Sequence, residues 1–137
     1  MDNKEYGDLV NDGIYPDDIN VPLDKPFKDN RGTIANLWLA QSGSVTFIES
    51  NAGAIRARHK HIGDWHATYV INGKIKYTEL EDDEKTIKLE TIFNTGDMFF
   101  TKPGVFHIME FVENTKMITI NNIVKNHENY NKSIIRF

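Results

Sequence analysis

From residue 33 onward the chain is a succession of short runs rich in Val, Ile, Thr, Phe and Tyr, each closed by a turn signal. The runs are Thr33–Ala40, Ser44–Ser50, Ala54–His61, His66–Ile71, Lys74–Leu80, Thr86–Phe93, Asp97–Thr101, His107–Val112 and Lys116–Val124. Between them stand Asn30-Arg31-Gly32, Ser42-Gly43, Asn51-Ala52-Gly53, Asn72-Gly73, Asn94-Thr95-Gly96 and Pro103-Gly104. None of these runs carries a sustained helical period. Short strands at such regular spacing predict an all-β sandwich or barrel. Asn72-Gly73 reads as a tight hairpin, because a type I′ turn needs positive φ at both central residues.

The first 30 residues read differently. They hold three of the four prolines, Pro16, Pro22 and Pro26, and several Asp. They predict a largely extended N-terminal arm with one helical turn near Glu5–Val10. A chain of 137 residues is one domain's worth and can bury a core without covalent staples. The expected organisation is a single domain over 1–137: arm 1–30, barrel 31–126 and C-terminal tail 127–137. A net charge of −4 argues against nucleic-acid binding, which needs a basic face. With no cysteine, disulfides and thiolate metal sites are excluded. No stretch approaches the roughly 20 apolar residues of a membrane helix, and the acidic Met1–Glu5 does not read as a signal peptide. The expectation is a cytoplasmic protein with no membrane partner.

Alternate side chains of a strand share a face. In Ala54–His61 one face carries Ile55, Ala57, His59 and His61, and the other Ala54, Arg56, Arg58 and Lys60. The first is small and apolar and ends in two imidazoles, so it is expected to point inward. Neutral imidazole is a common ligand of Zn, Fe, Mn and Ni. Histidines packed and hydrogen-bonded without a metal are the alternative.

These residues resemble the cupin pattern. Its first part appears as Gly53, five residues, His59-Lys60-His61, four residues, His66, six residues, Gly73, with His66 where cupins usually have Glu. Its second part appears as Gly96-Asp97, Pro103-Gly104 and His107, with Lys102 and Phe111 in place of the usual Pro and Asn. The resemblance implies a cupin double-stranded β-helix, or jelly-roll barrel. It also implies a divalent transition metal on His59, His61, His66 and His107, no organic cofactor, and a homodimer paired through the N-terminal region. Four of the five histidines occupy the pattern's ligand positions; His127 is the exception.

A narrower resemblance overlaps it. Gly53–His59 is similar to the Gly-x-x-Arg-Gly-x-His stretch of dTDP-4-dehydrorhamnose epimerases, and Phe27–Gly32 to their Phe-x-Asp-x-Arg-Gly entry. Arg56–His61 resembles the Arg-Gly-x-His-x-His of dTDP-sugar 3,4-ketoisomerases, whose C-terminal ending Tyr130–Phe137 echoes. These families work without a metal. The resemblance implies His59 as catalytic base, His61 as its partner and Arg56 as a diphosphate contact. The chain departs from them in having Ala57 for Gly and His66 for Gln.

A C–H beside a sugar ketone is acidic enough for an imidazole tuned near neutral pH. The enolate then needs a positive group or donor at its oxygen. A metal can serve as Lewis acid, or Tyr69 or Tyr77 as donor. If all four histidines bind metal, Glu110 is the candidate base. Candidate substrate contacts are Arg56, Arg58, Trp65, Tyr77 and Lys102. Against them stand plainer readings: a solvated outer strip for Arg56, Arg58 and Lys60, packing for Trp65, and solvent for Lys102. Met98, Phe99 and Phe100 read as core, and Glu79–Glu84 as an exposed turn. Three functions compete: an isomerase or epimerase of a nucleotide-linked keto sugar, an Fe-dependent dioxygenase, and a non-catalytic sugar- or metal-binding protein.

Overall fold

The computed structural model describes residues 1–124 and 134–136. It opens with helix α1, Asn3–Asn11. The helix starts where it does because Asp2 and Glu5 form a capping box: Asp2 accepts from the Glu5 amide at 2.8 Å, and Glu5 accepts from the Asp2 amide at 3.4 Å. It is longer than the single expected turn because Tyr6 and Val10, one turn apart, are both buried.

Eleven strands follow among the described residues: β1 Phe27–Asp29, β2 Gly32–Ile34, β3 Ser44–Ser50, β4 Ile55–His61, β5 His66–Asn72, β6 Lys74–Leu80, β7 Ile87–Asn94, β8 Met98–Thr101, β9 Phe106–Phe111, β10 Thr115–Asn121 and β11 Ile134–Arg136. β1 and β2 form a hairpin of their own. The others make two antiparallel sheets, ordered β3-β10-β5-β8 and β11-β4-β9-β6-β7. The chain from β3 to β10 crosses repeatedly between them, which is jelly-roll topology.

One turn reading and one strand reading give way to this topology. Asn72-Gly73 is not a hairpin, because β5 and β6 belong to different sheets. Gly73, at φ 130°, is the corner between them. A Cβ there would meet Thr115 Oγ1, so the corner requires the bare backbone of glycine. The predicted strand Thr33–Ala40 is a strand only through Ile34. Beyond it Leu37, Trp38 and Ala40 all pack under α1, so the segment does not alternate as a strand must.

The core has two parts. Between the sheets lie Val70, Ile75, Tyr77, Phe93, Phe99, Phe111 and Met117. Outside the four-stranded sheet, α1 and the arm cover Trp65, Ala67, Met98 and Phe100. β8 is therefore buried on both faces, in keeping with its run of Met98, Phe99 and Phe100. The arm also seals the open edge of β8: Val21 N–H donates to Met98 O at 2.9 Å and Phe100 N–H to Ile19 O at 2.8 Å. At the other end of the chain, residues 127–133 and 137 of the expected tail lie outside the described residues, His127 and Tyr130 among them. Residues 134–136 are β11, paired with β4.

Candidate functional site

Above the inter-sheet core the two sheets enclose a cavity of about 710 Å³. Strands β4 and β9 supply its chemistry. In their register His59 stands opposite His107, and Arg56 opposite Met109. Two residues lie between the two β4 positions, but only one lies between those on β9. The difference is a β-bulge at Ala57 and Arg58, whose φ angles are 70° and 58°.

The bulge corrects the period-2 reading at Arg56 alone, for Ile55, Ala57, His59 and His61 line the cavity as that reading expected. It resets the alternation, so that Arg56, His59 and His61 all line the cavity. Arg56 is held there by Nε donating to Ser50 Oγ at 2.8 Å and Nη2 donating to Glu49 O at 3.1 Å. Arg136 lines the same cavity from β11, opposite His59 in register.

His59, His61 and His107 converge. All three are buried, and their ring centroids lie 4.4, 4.8 and 5.5 Å apart. Each offers a nitrogen within 4.8 Å of the others. His107 Nδ1 lies 3.0 Å from Val105 O, so it carries the proton and leaves Nε2 as an acceptor. Burial pushes the His107 imidazole down to about 4, with His66 nearby lowering it further and the Val105 carbonyl opposing. At neutral pH it is uncharged and able to ligate.

His66 also lines the cavity but groups with a different pair. Its ring is 4.1 Å from that of His61, and its Nε2 is 3.7 Å from Asp64 Oδ2. The same carboxylate oxygen is 3.2 Å from His61 Nδ1. The four histidines thus form two overlapping groups: His59, His61 and His107, and His61, Asp64 and His66. Three buried, converging imidazoles suit a divalent transition metal, so the donor set fits the ion that the resemblance implied.

The other sequence candidates divide. Tyr77 does not line the cavity but is buried in the inter-sheet core beneath it, its ring 6.2 Å from that of His107. Its hydroxyl donates to Glu79 Oε2 at 2.7 Å and meets Thr101 Oγ1 at 2.8 Å. Burial and the neighbouring Glu79 hold that phenol well above its ordinary range, so it stays protonated.

Tyr69 is excluded from the cavity, because β5 turns His66 and Thr68 inward and Tyr69 toward the helix-covered core. Glu110 faces outward, exposed, between Ile55 and Lys76. Trp65 is 3% exposed and packs against Trp38 and Phe100 behind the sheet. Arg58, the bulged residue, is exposed and does not line the cavity. Lys102 pairs with Asp17 at 3.3 Å, away from the histidines.

Sequence reasoning passed over Asp64, Glu79 and Arg136. Glu79, read as part of an exposed turn, is 5% exposed, and the alternation of Ile75, Tyr77 and Glu79 along β6 already placed it inside. Asp64 lies in a turn with no periodicity to reveal it.

A family model described as the cupin domain matches residues 46–121. A search of curated protein sequences finds no match. Among solved structures, the dTDP-4-dehydrorhamnose 3,5-epimerase from Sulfolobus tokodaii superposes with a TM-score of 0.66 at 15% identity, covering 84% of this chain and 74% of that one. A 3,4-ketoisomerase from Helicobacter canadensis gives 0.65 at 17%, covering 82% and 86%. A variant of the 3,4-ketoisomerase QdtA from Thermoanaerobacterium thermosaccharolyticum, in complex with TDP-4-keto-6-deoxyglucose, gives 0.63 at 16%, covering 82% and 83%. At these identities the likeness is one of fold.

Proposed function

The chain belongs to the cupin domain family, and from that premise we propose that it isomerises or epimerises a nucleotide-linked keto sugar at a divalent metal centre. The observation that carries this reading is the bulge in β4, which puts Arg56 on the same cavity wall as His59 and His61. One strand then presents a diphosphate-binding cation beside a proton-transfer and metal-binding cluster. The ligand of the QdtA complex, TDP-4-keto-6-deoxyglucose, carries both a diphosphate and a ketone for such a wall to meet.

In this reading His59, His61 and His107 hold the metal, which when bound supplies a Lewis acid for the ketone oxygen. Arg56 and Arg136 bind the diphosphate through charge-assisted hydrogen bonds. His66, with Asp64 behind it, takes the proton from the carbon next to the ketone and returns it, either to the opposite face or to the neighbouring position. The bond pair left behind moves into the enolate and back, so no oxidant or reductant is consumed. His66 is assigned here in place of His59, which sits in the metal triad, and of Glu110, which faces solvent.

The test follows a TDP-linked 4-keto sugar by NMR in D₂O, with the metal content of the protein measured alongside. We expect deuterium at a carbon flanking the ketone. His66→Gln should keep the metal and lose the exchange, and His59→Ala should lose both. Metal-loaded protein that binds the sugar but exchanges no proton sinks the reading and leaves a binding protein.

One observation favours oxygen chemistry instead: no acidic side chain among the described residues lines the cavity, and the triad His59, His61 and His107 is purely imidazole. Oxygen uptake dependent on Fe(II) would identify that alternative. We also propose a homodimer, because the β1–β2 hairpin pairs with no other strand among the described residues. Its Phe27 and Ile34 are 61% and 69% exposed.

A further inference from the structure

Asp64 is 1% exposed and lies in the turn between β4 and β5. A carboxylate that deep is stabilised only by donors or positive charge. Its Oδ2 is 3.2 Å from His61 Nδ1 and 3.7 Å from His66 Nε2. We propose that Asp64 is a positioning residue: it keeps the His61 proton on Nδ1 and so turns the lone pair of Nε2 toward His59 and His107. This role rests on the metal reading above and names the group outside the triad that prepares it.

The turn is built to hold that carboxylate still. Asn122 Oδ1 accepts from the Trp65 amide at 3.0 Å, and Asn122 Nδ2 donates to Gly63 O at 3.4 Å. Gly63 takes φ 81°, which lets the chain reverse. Gly104 N–H donates to His61 O at 2.7 Å and ties the end of β4 to the next loop. Trp65, buried in the second core, pins the residue after Asp64. The large aromatic beside the histidines thus acts as an anchor for this turn. A histidine whose far nitrogen is occupied by a carboxylate presents the near one in a single orientation and as a stronger base. His107 is prepared in the same way by the Val105 carbonyl.

The test compares wild type, Asp64→Asn and Asn122→Ala by two measurements. Long-range ¹H–¹⁵N spectra of the metal-free proteins report which nitrogen of each histidine carries the proton. Competition titration with Zn²⁺ alone reports affinity and stoichiometry. We expect Asp64→Asn to change the tautomer pattern of His61 and to weaken Zn²⁺ binding by about 10–100-fold at unchanged stoichiometry. Asn122→Ala, which loosens the turn but keeps the carboxylate, should weaken it less, and it carries the test if the Asp64 variant fails to fold. Unchanged tautomer and affinity overturn the role. Loss of a second bound Zn²⁺ in Asp64→Asn overturns it too, because Asp64 would then be a ligand. A wild type that binds no Zn²⁺ overturns the metal reading, and the tautomer spectra then judge Asp64 separately.

Discussion

Ala57 stands where the resembling sugar enzymes have glycine, and the backbone gives that departure a physical cost. Its φ of 70° lies in the left-handed region, where a Cβ crowds the following carbonyl. Ala57→Gly should therefore stabilise the protein, by about 0.5–1 kcal/mol after the extra freedom gained by the unfolded chain. Urea unfolding of the two proteins, read at equal slope, checks this. Tyr77 makes the opposite case. Its buried hydroxyl joins Glu79 to Thr101, and Tyr77→Phe leaves a buried carboxylate short of a donor. The expected loss is about 1–3 kcal/mol, visible as an earlier denaturation midpoint.

At the level of elements, β4 does the most for the site, and it does so by being irregular. Its alternation read from residues 54–61 placed Ala57 inside and Arg56 outside. Register with β9 brings Arg56 to the cavity as well, because Arg58 is an extra residue in the strand, while Ala57 still lines it. Deleting Arg58 should remove the bulge and leave Arg56 two positions before His59, on the same cavity face. We expect the deletion variant to keep its strand content by circular dichroism and its affinity for a TDP-sugar, measured by calorimetry, whereas Arg56→Ala should lose most of that affinity; retained affinity in Arg56→Ala would show that Arg56 is not the diphosphate contact. A bulge is hard to read in sequence because nothing in Arg56-Ala57-Arg58 signals positive φ: none of the three is Gly, Asn or Asp. The remaining inner positions were legible. His59, His61 and His107 sit where period and spacing put them, because their strands run regularly from the histidines onward.

For the whole molecule, buried His107 makes stability respond to pH. His107 titrates near 4 when folded, below the ordinary 6.5, so the unfolded chain takes up its proton first. Stability of the metal-free protein is then level above about pH 6.5, falls as the pH drops toward 4 and levels again below. The expected loss from this group is on the order of 3 kcal/mol. Denaturation midpoints across that window measure it, and Zn²⁺ should raise the plateau by binding the folded state alone. Assembly is the other property of the whole chain. A hairpin alone is marginal in water, and Phe27 and Ile34 face each other across it, exposed. Sedimentation should give twice the chain mass, and Phe27→Asp should shift it toward the monomer; a monomeric wild type ends the dimer proposal.

Most strands, the β class and the histidine cluster were readable in the sequence, because alternation and turn residues are local and every strand carries its own copy of the signal. Which strands lie together was not. β5 and β6 alternate equally well as a hairpin or as members of two sheets, and only the packing of Gly73 on Thr115 chooses the second. The same holds for the site. The spacing of His59, His61 and His107 is a property of the chain. The inward turn of Arg56, the burial of Asp64 against His61 and the arrival of Arg136 from β11 are contacts between residues far apart or out of period, and such contacts exist only once the two sheets have closed.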